Sequence, residues 1–208
     1  MTLEEQFIRS TTLLFVLLNP FFMSIYLLDL IQEMHWREFS KTFAQGAAIS
    51  AAVFVFVGWV GEALFTNVLQ VHFASFLVFG GLLFLVVATR FFFMGPESLR
   101  QMRGSTRNVA ASIAMPFMIG PGTISASVLA GARLPIAWAA AAIIVAVLLS
   151  TVAVVVLKRV YDVIQQRNQA LVSRYVDVTG RIMGLVSGTI AVDMIFRGIG
   201  DWVSEMAL

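Results

Sequence analysis

Two short helix-breaking stretches are the residues best placed to do chemistry, because each lies inside a long apolar run. The first contains Asn19 followed by Pro20. About a hundred residues later, the second contains Gly120, Pro121 and Gly122. Proline has no N–H to donate, and its ring clashes with the carbonyl four residues earlier, so each helix should break or kink there. Backbone groups freed at membrane depth are tolerated only where they are buried in protein or line a polar cavity.

Such breaks predict a site for a zwitterion. A half-helix that begins at a break presents unsatisfied N–H donors to an anion, whereas the half-helix before it ends in carbonyl groups that suit an ammonium. Asn19 can cap a helix or contact a carboxylate, and Thr123 and Ser125 supply hydroxyl groups. The alternative is that both breaks are packing kinks, since Pro and Gly are common in membrane helices. The predicted substrate-binding residues are Asn19, Pro20, Gly120, Pro121, Gly122, Thr123 and Ser125.

A second candidate feature is Asp193, which is followed by Arg197 at i+4 on the same helical face. This spacing predicts a local ion pair. The alternative is that Asp193 carries a coupling proton, because ionisable residues inside a membrane suggest function. His35 and His72 have no metal-ligand spacing, and the chain has no cysteine, so we expect no metal site. No nucleophile arrangement or acid–base pair is recognisable, and we expect neither catalytic residues nor a cofactor.

The composition is that of an integral membrane protein. Hydrophobic residues make up 59% of the 208 residues and charged residues 12%, whereas soluble domains are about a quarter charged. Basic residues lie between apolar runs, so nucleic acid is not an expected partner. The predicted fold is an all-α membrane domain covering residues 1–208, with six stretches of about 20 apolar residues that can each cross the bilayer. These stretches are Phe7–Leu30, Phe43–Phe65, His72–Phe93, Val109–Ala130, Leu134–Leu157 and Val176–Ile199.

The distribution of Lys and Arg predicts the orientation, because cytoplasmic loops hold the excess of basic residues. Eleven of the fourteen fall on one side. These are Arg37, Lys41, Arg90, Arg100, Arg103, Arg107, Lys158, Arg159, Arg167, Arg174 and Arg181. The other side has Arg9, Arg133 and Arg197. We therefore expect a multi-pass protein with both termini outside the cytoplasm.

Three spans per half predict an inverted repeat, in which the halves 1–104 and 105–208 enter the membrane from opposite sides. The breaks occupy corresponding places in the first and fourth spans. The third span carries Gly80 and Gly81, and the sixth carries Gly180, Gly184 and Gly188 in corresponding places. Two broken helices in corresponding positions are typical of a transporter's substrate site.

The chain resembles the MarC family of bacterial inner-membrane proteins, within the wider LysE-like group of exporters. The motifs that carry the resemblance are Leu17-Leu18-Asn19-Pro20, Gly80-Gly81, Ala114-Met115-Pro116 and Gly120-Pro121-Gly122-Thr123-Ile124. The resemblance implies an inverted repeat with broken first and fourth helices, in a family that includes transporters of small neutral amino acids. Many members have a small or polar residue shortly after Asn-Pro. This chain has Phe21, Phe22 and Met23 there, which we expect to narrow the pocket.

The function predicted from these features is secondary transport, by alternating access, of a small zwitterionic metabolite such as a neutral amino acid across the bacterial inner membrane. The expected partners are the lipid bilayer and a small-molecule substrate, and a homo-oligomer is compatible with the sequence. Two alternatives stay open. One is a membrane-embedded enzyme acting on a lipid or isoprenoid, and the other is a membrane scaffold that transports nothing.

Overall fold

A computed structural model describes residues 2–61, 63–68, 70–95, 118–165 and 169–206. Within these ranges the chain is α-helical apart from short connections and a π-helical turn at Leu64–Val68, and it contains no strand. The α-helices are α1 (Leu3–Leu18), α2 (Pro20–Tyr26), α3 (Leu28–Glu33), α4 (Trp36–Val60), α5 (Phe73–Met94), α6 (Pro121–Arg133), α7 (Ile136–Gln165) and α8 (Gln169–Met206). The predicted all-α fold is confirmed.

Five helical segments are long and apolar enough to cross a membrane. They are Leu3–Tyr26, Trp36–Val60, Phe73–Met94, Ile136–Gln165 and Val176–Ser204. They correspond to five of the predicted spans. The fourth predicted span is described only from residue 118 onward, because Val109 to Phe117 lie outside the described residues, and its helix α6 has 13 residues. The count of six spans therefore stays a prediction.

The bounds of α4 differ from the prediction for its span. The helix begins at Trp36 rather than Phe43, since the polar residues before Phe43 continue the same helix beyond the apolar stretch. It ends at Val60 rather than Phe65, because Gly61 follows with a φ of 61°, a positive value that glycine adopts readily and that does not continue a helix.

The bundle has two ends that can be defined by their residues. We call the end holding Arg9, Arg133 and Arg197 the outer end, because these side chains line one cavity there. We call the opposite end, where Gln32 and Arg159 line another cavity, the inner end. Helix α1 packs along α7, α4 packs along α6 and α7, and α5 packs along α8.

Helices α5 and α8 are antiparallel. They meet through small residues that recur every seven positions along each helix. A Cβ atom at Gly198 would lie 2.7 Å from the Ala74 carbonyl oxygen, so the backbones are in direct contact. Small residues at such interfaces are a common way for membrane helices to approach closely. The facing pairs are Ala74 with Gly198, Gly81 with Ala191, and Ala88 with Gly184. We call this contact the small-residue seam.

Helices α4 and α7 have their buried residues at matching positions. They begin one hundred positions apart, at Trp36 and Ile136. Seven of the eight buried residues of α4 have a buried counterpart one hundred positions later. The pairs are Phe39 and Ala139, Phe43 and Ile143, Gly46 and Ala146, Ala47 and Val147, Ser50 and Ser150, Phe54 and Val154, and Gly58 and Lys158. The two helices therefore bury matching positions of their sequences.

Candidate functional site

The first break lies at Asn19, between α1 and α2. Its φ of 42° and ψ of 77° are left-handed, a conformation that asparagine tolerates better than most residues. The Asn19 N–H donates to the Phe15 carbonyl and closes α1. Its Oδ1 accepts from the Phe22 N–H at 3.1 Å and caps α2, whose first residue is Pro20. One residue therefore ends one helix and starts the next, as the predicted capping role requires.

The second break lies before Pro121, the first residue of α6. Gly120 is the extended residue at the N-cap, and the Ile124 N–H donates to its carbonyl at 3.0 Å. The Thr123 hydroxyl lies 2.7 Å from the Met118 carbonyl and 2.9 Å from that of Gly120, and it accepts from the Gly120 N–H at 3.0 Å. Thr123 is 3% exposed, so its hydroxyl serves the turn itself rather than standing free for a ligand.

Ser125 is also engaged locally. Its Oγ donates to the Pro121 carbonyl at 2.7 Å, one turn earlier. Ser24 stands in the same place after Pro20, and its Oγ donates to the Phe21 carbonyl at 2.7 Å. The two segments after the breaks thus share a proline at the first position and a back-bonded serine four residues later.

The two breaks lie at similar depth and are enclosed by the other long helices. A Cβ atom at Gly122 would lie 3.5 Å from Leu17 Cδ2, and Leu17 precedes Asn19 by two residues. The same Cβ position lies 3.5 Å from the sulfur of Met194. The Asn19 Nδ2 lies 3.6 Å from the sulfur of Met183, a weak acceptor. Both breaks therefore face methionines of α8.

Sequence reasoning missed Met183, Met194 and Ser150. The methionines carry no signal of their own, since Met is common packing material. Ser150 is 3% exposed, and its Oγ has no hydrogen-bond partner among the described residues. Its depth follows from two contacts of α7, which joins Phe7 through Trp138 and the Ile31 carbonyl through Lys158. Residue 19 is midway in the sequence between the two contacted residues, 7 and 31. Residue 148 is midway between their partners on α7, 138 and 158, so Ser150 is nearly level with the first break.

The three bulky residues after Asn-Pro point in different directions. Phe22 is 4% exposed and packs edge-on against Phe91 of α5, with ring centroids 5.0 Å apart. Met23 is 2% exposed in the same core cluster. Phe21 is 47% exposed and lines a cavity toward the inner end. Only Phe21 therefore narrows a cavity, and the other two close the core behind the break.

Two cavities approach the first break from opposite ends. The inner cavity has a volume of about 460 Å³, begins at Phe21, and lies between α2, α3, α7 and α8. The outer cavity has a volume of about 570 Å³, lies between α1, α6 and α8, and reaches Val16. Leu17, Leu18, Asn19 and Pro20 are the residues between these two limits. The first break therefore lies between the two cavities along α1 and α2.

The predicted pair of Asp193 and Arg197 forms an ion pair. Arg197 Nε lies 2.7 Å from Asp193 Oδ2, and both side chains are more than half exposed. Arg197 lines the outer cavity, one turn outward from Met194. The pair therefore lies at the rim of the outer cavity and not among the residues that surround the breaks.

Long apolar helices, two of them interrupted or begun by proline in the interior of the bundle, define an integral membrane protein of the multi-pass helical class. Residues 4–203 match the MarC family integral membrane proteins, and since this is nearly the whole chain, the protein belongs to the MarC family. The resemblance found in the motifs is thereby confirmed. No curated protein and no solved structure matches the chain significantly.

Proposed function

We propose that this protein is a secondary transporter that moves a small zwitterionic metabolite, a neutral amino acid, across the bacterial inner membrane by alternating access. The observation that carries the proposal is that the first break lies between two cavities, one lined by residues of the inner half of the bundle and one lined by residues of the outer half. A transporter needs a site that each side can reach without a continuous pore. The residues Leu17 to Pro20 occupy the position of such a site.

Donors at the breaks fit a carboxylate. The N–H groups of Gly122 and Thr123 lie in the first turn of α6, where helix geometry provides no intrahelical acceptor. The Asn19 Nδ2 has a sulfur as its neighbour, so a carboxylate oxygen would be a stronger acceptor. Helix α6 adds a partial positive charge at the same point. The ammonium of a zwitterion would find the Ser150 Oγ and the carbonyl groups that end α1.

An inverted repeat of six spans accounts for the packing. Exchanging the halves maps the α2–α7 contact onto the α6–α4 contact and maps the α5–α8 contact onto itself. The shared burial pattern of α4 and α7 supports the same exchange. So do the equivalent prolines, Pro20 and Pro121, each followed by a back-bonded serine.

The proposed repeat also suggests at which end of the bundle a cavity is open and at which end the equivalent segments are packed closed. Under the hundred-residue offset of α4 and α7, Leu157, Val160 and Ile164 of the inner cavity correspond to Val57, Val60 and Leu64 near the outer end. There, Val57 and Leu64 belong to one packed cluster with Phe65, Phe73 and Phe76, whose ring centroids lie 4.9 to 6.0 Å apart. Equivalent segments therefore differ in packing, as alternating access requires of two repeats in opposite states.

The proposed orientation has both termini in the periplasm. Seven of the eleven basic residues assigned to the cytoplasmic side lie in the described part of the chain, whereas Arg100, Arg103, Arg107 and Arg167 lie outside it. A reporter fused after Leu208 should signal a periplasmic location. A cytoplasmic signal from a functional fusion would exclude an even number of spans and with it the inverted repeat.

Binding is tested with purified protein in detergent, because a ligand that binds only the folded state must raise the unfolding temperature. Glycine and alanine should raise the unfolding temperature, whereas acidic and basic amino acids should not. Asn19→Asp keeps the capping oxygen but replaces the amide donor by a negative charge, so it should abolish the response while folding is retained. Ser24→Asn is the matched control, because it changes a polar side chain of α2 that lies near the break.

Transport itself is tested with protein in liposomes that take up labelled alanine or glycine. We infer that the protein is not an enzyme, and a lipid or isoprenoid probe distinguishes this from the enzymatic alternative. Chemical conversion of such a probe, with no response to any amino acid in either assay, would overturn the proposed function. Failure of all small metabolites and lipids to bind would favour a scaffold.

A further inference from the structure

The outer cavity gathers basic residues from three helices. Arg9 of α1, Arg133 of α6 and Arg197 of α8 all line it, although they are far apart in the sequence. They are also the three basic residues that the orientation assigns to the outer side in the whole chain. Scattered interfacial arginines would be expected to spread around the bundle. Their convergence on one cavity indicates a common ligand.

Among the described side chains at the cavity, the basic groups outnumber the acidic ones by one. Asp193 pairs with Arg197 at 2.7 Å. Glu5 also lines the cavity, and its Oε2 accepts from the Thr2 N–H at 2.9 Å. Arg133 is exposed and has no carboxylate partner among the described residues. Among these five side chains, the two carboxylates and three guanidinium groups have a formal charge of +1.

The rest of the lining is apolar and reaches inward from the arginines. Ile8, Leu13 and Val16 of α1 face Leu129 of α6 across the cavity. Ile8 is 63% exposed and Val16 is 49% exposed, so this side of the cavity opens onto the surface that lipid covers. The cavity is therefore amphipathic, with charge at its mouth and hydrocarbon along its length.

We propose that the outer cavity binds a monovalent oxyanion, with the guanidinium group of Arg133 as its principal contact. A guanidinium group suits phosphate and carboxylate oxygens, which it can bind through two parallel hydrogen bonds. The shared chemistry has two sources, the phosphate of an anionic phospholipid and the carboxylate or phosphate of a soluble compound. Basic pockets between membrane helices bind lipid head groups on the cytoplasmic side of membranes, and the same charge attraction applies to an anionic head group at the outer end. Binding at this site can be measured without a transport assay, because none of the three arginines lies at the breaks.

The test measures the unfolding temperature of detergent-solubilised protein by tryptophan fluorescence. Dioleoylphosphatidylglycerol should raise the temperature in a saturable way, and dioleoylphosphatidylcholine should not. Sodium acetate and sodium phosphate form a separate arm, titrated against sodium chloride at constant ionic strength. A response to the phospholipid alone identifies a lipid source, whereas an equal response to a soluble anion identifies a soluble one.

Variants tie the response to the cavity. Arg133→Gln should raise the half-saturating concentration of the responding anion by about tenfold or more, as expected for loss of a charge-assisted contact. Arg133→Lys should lie between this variant and the parent, because it keeps the charge but not the planar fork. Arg37→Gln makes the same charge change at the inner end and should leave the concentration unchanged. The same half-saturation in Arg133→Gln as in the parent would overturn the proposal, and so would an equal response to phosphatidylcholine.

Discussion

The ring of Pro121 rests directly on Gly80, where the second break meets α5. A Cβ atom at Gly80 would overlap the Cβ and Cγ atoms of Pro121. The missing side chain therefore lets the first turn of α6 approach the α5 backbone, and this contact fixes the position of the second break against the small-residue seam.

Gly80→Ala should destabilise the protein by about 1–3 kcal/mol, the usual effect of adding atoms to a well-packed interface. The measurement is the free energy of unfolding in mild detergent. Gly200→Ala is the matched control, since it lies in α8 with no atom within 4 Å of its Cβ position. It should be neutral or slightly stabilising, because alanine is the better helix former. Equal effects of the two substitutions would mean that Pro121 can move away from α5 freely.

Gly122→Ala separates binding from folding. The added Cβ would meet Leu17 and Met194 at 3.5 Å, an ordinary van der Waals distance, so the free energy of unfolding should change by less than about 1 kcal/mol. The methyl group would lie in the approach to the α6 amides, and the affinity for alanine or glycine should fall. Gly122→Val adds a branched group and should abolish binding. Isothermal titration with each variant checks both results, and undiminished affinity in Gly122→Val would place the site elsewhere.

Asp193→Asn tests the ion pair against a proton-carrying role. Because both partners are more than half exposed, loss of the pair should cost no more than about 1 kcal/mol in free energy of unfolding. Uptake into liposomes should keep its dependence on pH. Complete loss of proton-driven uptake in a fully folded Asp193→Asn protein would assign the coupling proton to this carboxylate.

Lys158 stabilises the inner end through a buried ammonium group. It is 3% exposed, donates to the Ile31 carbonyl near the end of α3, and pairs with Asp162 at 2.6 Å. Lys158→Met should lower the free energy of unfolding by about 3 kcal/mol, because it leaves a carboxylate and a carbonyl without their partner. Adding Asp162→Asn should recover part of this loss.

Lys41→Met is the control for the Lys158 prediction, since Lys41 is exposed on α4 and should tolerate the change. An unchanged free energy of unfolding in the Lys158→Met protein would show that α3 needs no cap from α7. Both comparisons use unfolding in the same detergent.

The long helices were predictable because an apolar run of this length forms few structures other than a membrane-spanning helix. The break at Asn19 was predictable too, since the effect of Pro20 on its helix is local. What the sequence could not provide was the use of each polar group once the chain had folded. Thr123 and Ser125 have the right types for ligand contact, yet their hydroxyl groups bond to nearby carbonyls. Ser150 reaches the level of Asn19 only through the packing of α7 along α1, and local patterns do not encode that register.

The small-residue seam has a mechanical consequence. Where backbones touch, as at Gly198 and Ala74, there are no long side chains whose rotamers could absorb sliding of one helix past the other. Any displacement along the axis would drive a Cα into a carbonyl oxygen. Helices α5 and α8 must therefore translate and rotate as one body. The hinge of any large rearrangement has to be sought at the joint after Asn19, where Pro20 has no N–H to donate and the Phe22 N–H bonds to the Asn19 side chain instead of a backbone carbonyl.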